Sequence, residues 1–247
     1  MMHEIHVETT TSTNDIIRRE LENSENPHDV MFASASMQTH GRGRNGKVWH
    51  GEPHQNVYLS FGERHHQPLT PERLSSYMWL ASLTVLDTLH DVAPLQPFRL
   101  KYPNDVQTLH DGMWAKISGS LVEHVFQGDR CIVTIVGIGI NVQQRSFPDM
   151  INQPCASLAT CGIDASVDHV LSTLKRKLIE QRTESVHQLF DRWKAALNIE
   201  GSEVRIVDTD GIWRVEQVLS DGRLLLSEQH SHNERILSNG DSLRYLH

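Results

Sequence analysis

Four short segments of this chain combine cations, glycines and amides in ways suited to handling anions. The first is Gly41-Arg42-Gly43-Arg44-Asn45-Gly46, closed by Trp49. Glycine lets a backbone approach a ligand and take positive φ. Arginine offers a planar fork of donors that fits carboxylate and phosphate oxygens. The spacing matches neither a Walker A loop, which needs Gly-Lys-Ser/Thr, nor the dinucleotide GxGxxG pattern. Taken alone, it reads equally as an anion-covering loop, a plain flexible loop or a Gly/Arg RNA-binding segment. The second segment, Lys101-Tyr102-Pro103-Asn104-Asp105, sets a cation and a carboxylate at a tight turn. Lys101 suits a polyphosphate and Asp105 suits Mg2+, directly or through water; an ordinary Pro-Asn-Asp turn accounts for the same residues. The third runs from Lys116 to Glu123. On a regular strand Lys116, Ser118 and Ser120 share one face, Ile117 and Leu121 the other, and Gly119 leaves room for a ligand. A lysine here can neutralise charge building on a phosphorus centre, although edge-strand lysines are common. The fourth is Gly137-Ile138-Gly139-Ile140-Asn141-Val142, where glycines thin a buried strand. The Asn141 amide offers a donor and an acceptor to a base or sugar edge, or simply ends a core strand at a turn.

The elements that must position these segments follow from periodicity. Ile5 and Val7 alternate as a first strand, and Ser12 or Thr13 is placed to cap a helix over Asp15–Leu21. Val30–Ala35 and Asn56–Phe61 read as strands, with Gln38–Gly51 an aperiodic loop between them. Thr70-Pro71 opens a helix in the manner expected of a cap followed by an N1 proline, and its apolar positions run to about Leu89. Phe98–Tyr102 is extended, Pro103 biasing Tyr102 towards β geometry. Lys116–Val125 and Cys131–Val142 form an antiparallel hairpin about Gly128-Asp129, and Val167–Leu178 and Glu184–Ala196 are helices. After Asn198 come short strands, Val204–Val207, Ile212–Val218, Arg223–Ser227 and Glu234–Leu237, separated by Asp210-Gly211, Asp221-Gly222 and Asn239-Gly240. Such spacing predicts a small β-barrel, with the boundary between Asn198 and Gly201.

Charge narrows the partners. With 23 Lys+Arg against 31 Asp+Glu the net charge is −8, which leaves no footprint for non-specific nucleic-acid binding. No basic segment followed by an apolar run marks the start as a secretory signal. The most apolar stretches, Tyr77–Leu89 and Cys131–Val142, fall short of the ~20 residues a bilayer span needs. Cys131, Cys155 and Cys161, an odd count without CxxC, point to a reducing compartment and packed thiols rather than a disulfide framework. The expectation is a cytoplasmic protein without a membrane partner. The 16 His contain no HExxH pattern, His65-His66 falls in a polar stretch read as solvated surface, and Trp79 reads as core.

The order of the motifs decides among these readings. From Ser12 to Asn141 the chain resembles the catalytic domain of biotin–protein ligases, through Ser12-Thr13-Asn14, Gln38, Gly41–Trp49, Asn56-Val57-Tyr58-Leu59-Ser60, Lys101–Asp105, Lys116–Glu123 and Gly137–Val142. The resemblance implies an α+β fold: a mixed or antiparallel sheet with helices packed on it, class II synthetase-like, over residues 1–198, and a C-terminal SH3-like β-barrel over residues 199–247. It implies adenylation of biotin by ATP with Mg2+, then transfer to a lysine of a biotin carboxyl carrier protein or domain, by a monomer or homodimer. On the same basis Ser12, Thr13, Asn14, Gln38, Arg42, Gly43, Arg44, Lys116 and Gly119 are expected at biotin. Arg44, Trp49, Lys101, Asn104, Asp105 and Asn141 are expected at ATP or the adenylate, and Asp105 at Mg2+. Lys116, Arg44 and Arg42 are the expected catalytic cations.

Three departures from the family pattern stand out: Tyr102 replaces a usual Trp, Ser120 a usual aliphatic residue, and Gln143 a frequent Asn. The chain begins almost at its first strand, so no helical DNA-binding module is expected before it. The rival readings are a lipoate or octanoate ligase or transferase, which shares the architecture, and a non-catalytic biotin sensor. An RNA-binding use of the Gly/Arg loop is disfavoured by the acidic charge.

Overall fold

The computed structural model describes residues 3–151, 153–207, 209–229, 231, 233–238 and 240–246. Seven strands form the main sheet: β1 (His3–Thr10), β2 (Val30–Gln38), β3 (Asn56–Arg64), β4 (Phe98–Lys101), β5 (Asp105–His110), β6 (Met113–Gln127) and β7 (Arg130–Asn141). Their order is β1-β2-β3-β7-β6-β5-β4, with β1 parallel to β2 and every other pair antiparallel. The sheet is therefore mixed and the fold α+β.

Helix α1 (Thr13–Glu22) covers one face, and α2 (Pro71–Val92), α3 (Val167–Gln181) and α4 (Val186–Leu197) cover the other. The two-residue period of β7 explains the layering. Val133 and Ile135 meet Ile16, Ile17 and Leu21 of α1, while Val136, Ile138 and Ile140 join the core under α2. Strands buried on both faces carry continuous apolar runs, which is why Cys131–Val142 was legible. Gly62 of β3 admits α1, since a Cβ there would stand 2.1 Å from Ile17 Cγ2. Among the described residues no helix is long and apolar enough to cross a membrane.

The C-terminal segment forms a five-stranded antiparallel, SH3-like sheet: β8 (Glu203–Ile206), β9 (Trp213–Val218), β10 (Leu224–Glu228), β11 (Glu234–Leu237) and β12 (Leu243–Tyr245), in the order β11-β10-β9-β8-β12. Gly211 and Gly222 take φ of 106° and 86° at two of the expected turns; Asn239 of the third lies outside the described residues. The two sheets share one core, to which Trp79, Trp193 and Trp213 all belong.

The structure corrects several sequence expectations. Strands β5 and β12 were not foreseen. The first turns into β6 at Asp111-Gly112, both at positive φ, a pairing favoured in two-residue hairpins. Ser12 holds the N-cap position of α1, but its side chain makes no capping hydrogen bond. His65 is buried and bonds Thr134 Oγ1 through Nε2 at 2.9 Å, whereas His66 pairs with Asp29 at the surface.

Candidate active site

A cavity of about 740 Å³ opens on the sheet near the end of β7, and all fourteen residues singled out from the sequence line it. Its floor is a row of glycines. Cross-strand register aligns Asp105, Gly119, Gly139 and Tyr58, and the next row aligns Leu121, Gly137 and Ser60. Each glycine admits one site side chain. A Cβ on Gly139 would stand 2.5 Å from Trp49 Cε2, one on Gly137 2.4 Å from Asn14 Oδ1, and one on Gly119 3.0 Å from Lys116 Nζ.

That last proximity corrects the expected alternation. Val106 pairs with Ser118 but Gln107 with Lys116, so Ile117 is an extra residue in β6. A bulge of this kind shifts the phase of the strand. It puts Lys116 on the face of Gly119, while Ser118 turns inward and donates its hydroxyl to Gly139 O at 2.6 Å. The other edge of Lys116 is pinned outside the sheet: its N–H donates to Pro154 O at 2.8 Å and its carbonyl accepts from Ala156 N at 2.9 Å. Cys155, read from sequence as a packed thiol, consequently sits on the cavity wall.

Lys116 Nζ is 2.8 Å from Asp105 Oδ1, both side chains being largely buried, and 5.6 Å from the Trp49 ring centroid. Lys101 lies close by. Burial pushes its ammonium below the ordinary lysine range, and Lys116, Arg244 and Lys47 push the same way against the attraction of Asp105. Lys101, Lys116, Arg244 and Lys47 thus gather at this end of the cavity beside the Asp105 carboxylate, an arrangement that suits a polyanion. Arg44 also lines the cavity and is held by the neighbour of Asp105 in sequence: its Nη1 donates to Asn104 Oδ1 at 3.3 Å, and Asn104 Nδ2 donates to Ser120 O at 2.6 Å.

The opposite end of the cavity is an amide and hydroxyl network. Gln38 Oε1 accepts from Thr13 N at 2.7 Å and from Thr13 Oγ1 at 3.1 Å. The Ser60 hydroxyl donates to Asn14 Oδ1 at 2.5 Å, and Asn14 Nδ2 donates to Glu123 Oε2 at 2.6 Å. These are short-range, buried partners of the kind that fix side-chain direction. Two buried polar atoms at the cavity have no partner among the described residues, Trp49 Nε1 and Asn141 Oδ1. A donor and an acceptor left in this state suit a ligand that supplies the complements.

The Gly/Arg loop is a small hairpin. Gly43 N donates to Lys47 O at 2.7 Å, Trp49 N donates to Gly41 O at 2.9 Å, and Arg42 bridges to Val48. Asn45 turns it with φ of 53°. The sequence reading did not assign Lys47, Gly240 and Arg244, which also line the cavity. Arg244 comes from β12 of the second sheet and Gly240 from the short 3-10 turn before it, where no local motif announces them. Ser60 and Glu123 lay within matched motifs but were given no role.

Comparison with known proteins identifies the family. A model of the biotin/lipoate A/B protein ligase family matches residues 6–141. A bifunctional ligase/repressor BirA of Bacillus spizizenii is 30% identical over 245 residues, covering 96% of this chain and 72% of the relative. A biotin–[acetyl-CoA-carboxylase] ligase of Mycobacterium tuberculosis is 30% identical over 236 residues, covering 89% and 81%. The solved biotin protein ligase of Aquifex aeolicus, in complex with biotin and ATP, superposes with a TM-score of 0.70 at 26% identity over 100% of both chains. The motif order, the shared architecture and the family match over more than half of the sequence lead to one conclusion: this chain belongs to the biotin/lipoate A/B protein ligase family.

Proposed function

We propose that the chain is an ATP-dependent biotin–protein ligase. The observation that carries the reading is the convergence of Lys116, Lys101, Arg44 and Asp105 with the Thr13–Asn14–Gln38 network on one cavity. One end suits a carboxylic acid with a polar head, the other a triphosphate. In the first step a biotin carboxylate oxygen attacks the α-phosphorus of ATP. A P–O bond to pyrophosphate breaks, and biotinyl-5'-AMP remains. In the second, the amine of a lysine on a biotin carboxyl carrier protein attacks the acyl carbon, the C–O bond to AMP breaks, and an amide forms with loss of the amine proton. No protein nucleophile is required.

The work of the chain is to bring two anions together. Lys116 sits where it can contact the carboxylate and the reacting phosphate, stabilising charge as the P–O bond changes. Lys101 and Arg44 serve the polyphosphate, Asn104 holding Arg44 in place. Arg244 adds a cation from residues 199–247, which we take as a second, smaller domain after a catalytic domain of residues 1–198. Closure of loop 41–49 shields the anhydride from water.

Mg2+ fits this cavity only in part. Asp105 is the one acidic side chain among the described residues that line it, and it is engaged by Lys116. No group of three His, Cys, Asp or Glu among the described residues is arranged to hold a metal. The donor set suits an ion that arrives on the polyphosphate and meets Asp105 as its single carboxylate. When bound, it would neutralise the leaving pyrophosphate.

The test is ATP–pyrophosphate exchange with biotin, lipoate and octanoate offered separately. Exchange with biotin alone, reduced about a hundredfold or more in Lys116→Ala, is the expected result. Exchange with lipoate or octanoate instead moves the chain to the sister activity of its family. Tight biotin binding without exchange makes it a sensor.

A further inference from the structure

The two arginines of loop 41–49 face different ways. Arg44 turns inward to Asn104. Arg42 turns to α1, where Nη1 donates to Asp15 Oδ2 at 3.0 Å and Nη2 to Asp15 Oδ1 at 2.7 Å. The same Nη2 stands 3.7 Å from Glu123 Oε2, the oxygen that accepts Asn14 Nδ2, and Arg18 Nη2 is 3.4 Å from Glu123 Oε1. Two carboxylates thus meet two guanidiniums, and the fork of Arg42 is already filled by a bidentate partner. The hydrogen bond from Arg42 holds the Asp15 carboxyl below the usual carboxylate range, and Asp15 in turn raises Arg42.

We propose that Arg42 is a latch rather than an anion-binding cation. Asp15 and Glu123 hold it, fastening loop 41–49 across the mouth of the cavity. The hairpin bonds Gly43 N to Lys47 O and Trp49 N to Gly41 O make the loop move as a unit, so a clasp at Arg42 also positions Arg44 and Trp49. Glu123 ties the clasp to the pocket, because one of its oxygens faces Arg42 while accepting from Asn14. In this arrangement Asp15, Arg42 and Glu123 are positioning residues. They set how long the acyl-adenylate stays enclosed, and the Arg44 end of the loop meets the anions. What is enclosed rests on the activity proposed above; the clasp itself does not.

Arg42 and Asp15 are partly exposed, at 38% and 40%, so the latch is weak enough to open for substrate and product. Loop 41–49 contains three trypsin-sensitive residues, Arg42, Arg44 and Lys47, which allows opening to be read without any ligand. In limited trypsin digestion of the full chain, Asp15→Ala and Arg42→Ala should each speed cleavage after Arg44 and Lys47 about fivefold. The double variant should add nothing further, as expected of partners in one interaction. Asp15→Glu, which keeps the carboxylate, should restore protection. With biotin and ATP, Asp15→Ala should release about fivefold more adenylate into solution, trapped there with hydroxylamine, while its KM for ATP stays within about twofold of wild type. Unchanged cleavage in Asp15→Ala, or additive effects in the double variant, overturns the latch. So does loss of exchange in Arg42→Ala equal to that in Arg44→Ala with no effect of Asp15→Ala. If the wild type shows no exchange with biotin, the activity reading fails, and the digestion still decides for or against the latch.

Discussion

Asn141 is one of two residues lining the cavity with a buried polar atom left unpartnered among the described residues. It is 4% exposed, its Nδ2 donates to Ala156 O at 3.0 Å, and its Oδ1 has no partner among the described residues. An unsatisfied buried acceptor costs about 1–3 kcal/mol, a cost that a ligand donor can relieve. The exocyclic amine of adenine is such a donor, whereas guanine presents a carbonyl at that position. Replacing Asn141 by Ala should raise KM for ATP about tenfold and leave kcat within about threefold. It should also narrow the preference for ATP over GTP. A KM for ATP equal to that of wild type would remove Asn141 from base recognition. Sequence pointed to this residue because it ends a glycine-interrupted strand. The unpaired oxygen that gives the prediction its sign is visible only in three dimensions.

At the scale of elements, the cavity exists because β6 and β7 are thinned at Gly119, Gly137 and Gly139 and because β6 is bulged at Ile117. The glycines were legible, since they interrupt an apolar run. The bulge was not: Lys116 to Val125 alternates well enough to pass for a regular strand, and only pairing with β5 reveals the extra residue. Strand β5 itself was missed because buried Gln107 and Thr108 look polar in sequence. Both are hydrogen-bonded, Gln107 accepting from Arg99 Nε at 3.0 Å and Thr108 donating to Pro97 O at 3.1 Å. Residues of the second sheet were out of reach for another reason, since Arg244 meets Lys101 only through tertiary packing. The glycine row also makes a sharp prediction. A methyl at position 139 would stand 2.5 Å from the Trp49 ring, closer than any contact the indole can keep, so the Gly139→Ala variant must displace Trp49. Since the ring belongs to the loop hairpin, Trp49 fluorescence should change relative to wild type and ATP–pyrophosphate exchange should fall at least tenfold. The global melting temperature should move little, because the displaced group is a loop side chain rather than core. A large drop in melting temperature with Trp49 undisturbed would mean that Gly139 serves the sheet and not the loop.

The molecule as a whole has one core, running from β7 through Trp79 and Trp193 to Trp213 of the second sheet, so perturbation of the main sheet should register in a single cooperative transition. A histidine cluster at the far end of that sheet supplies a means of testing this. His65 and His124 both bond Thr134 Oγ1, at 2.9 and 3.0 Å, with Tyr77 and Cys131 beside them. Burial, then the neighbouring His65, lowers His124 to about 4 from 6.5, and burial lowers His65 as well. The unfolded chain therefore takes up a proton at His124 as pH falls through 6.5, whereas the folded chain resists until about 4. The stability from keeping this ring neutral is fully present above pH 6.5 and is lost progressively towards pH 4. The loss is about 1.4 kcal/mol per pH unit at most, hence ~2 kcal/mol at pH 5. Carboxylates such as Asp15 and Glu200 are held below the usual carboxylate range and their losses begin at lower pH, so the interval from pH 7.5 to 5 isolates the histidines. Urea denaturation across that interval should show a falling midpoint with an unchanged m-value. The His124→Gln variant, which cannot take up the proton, should flatten the slope although its own stability at pH 7.5 is lower. An identical slope in wild type and variant would place the acid sensitivity elsewhere. Two separate transitions would show that the shared tryptophan core does not bind the two sheets into one folding unit.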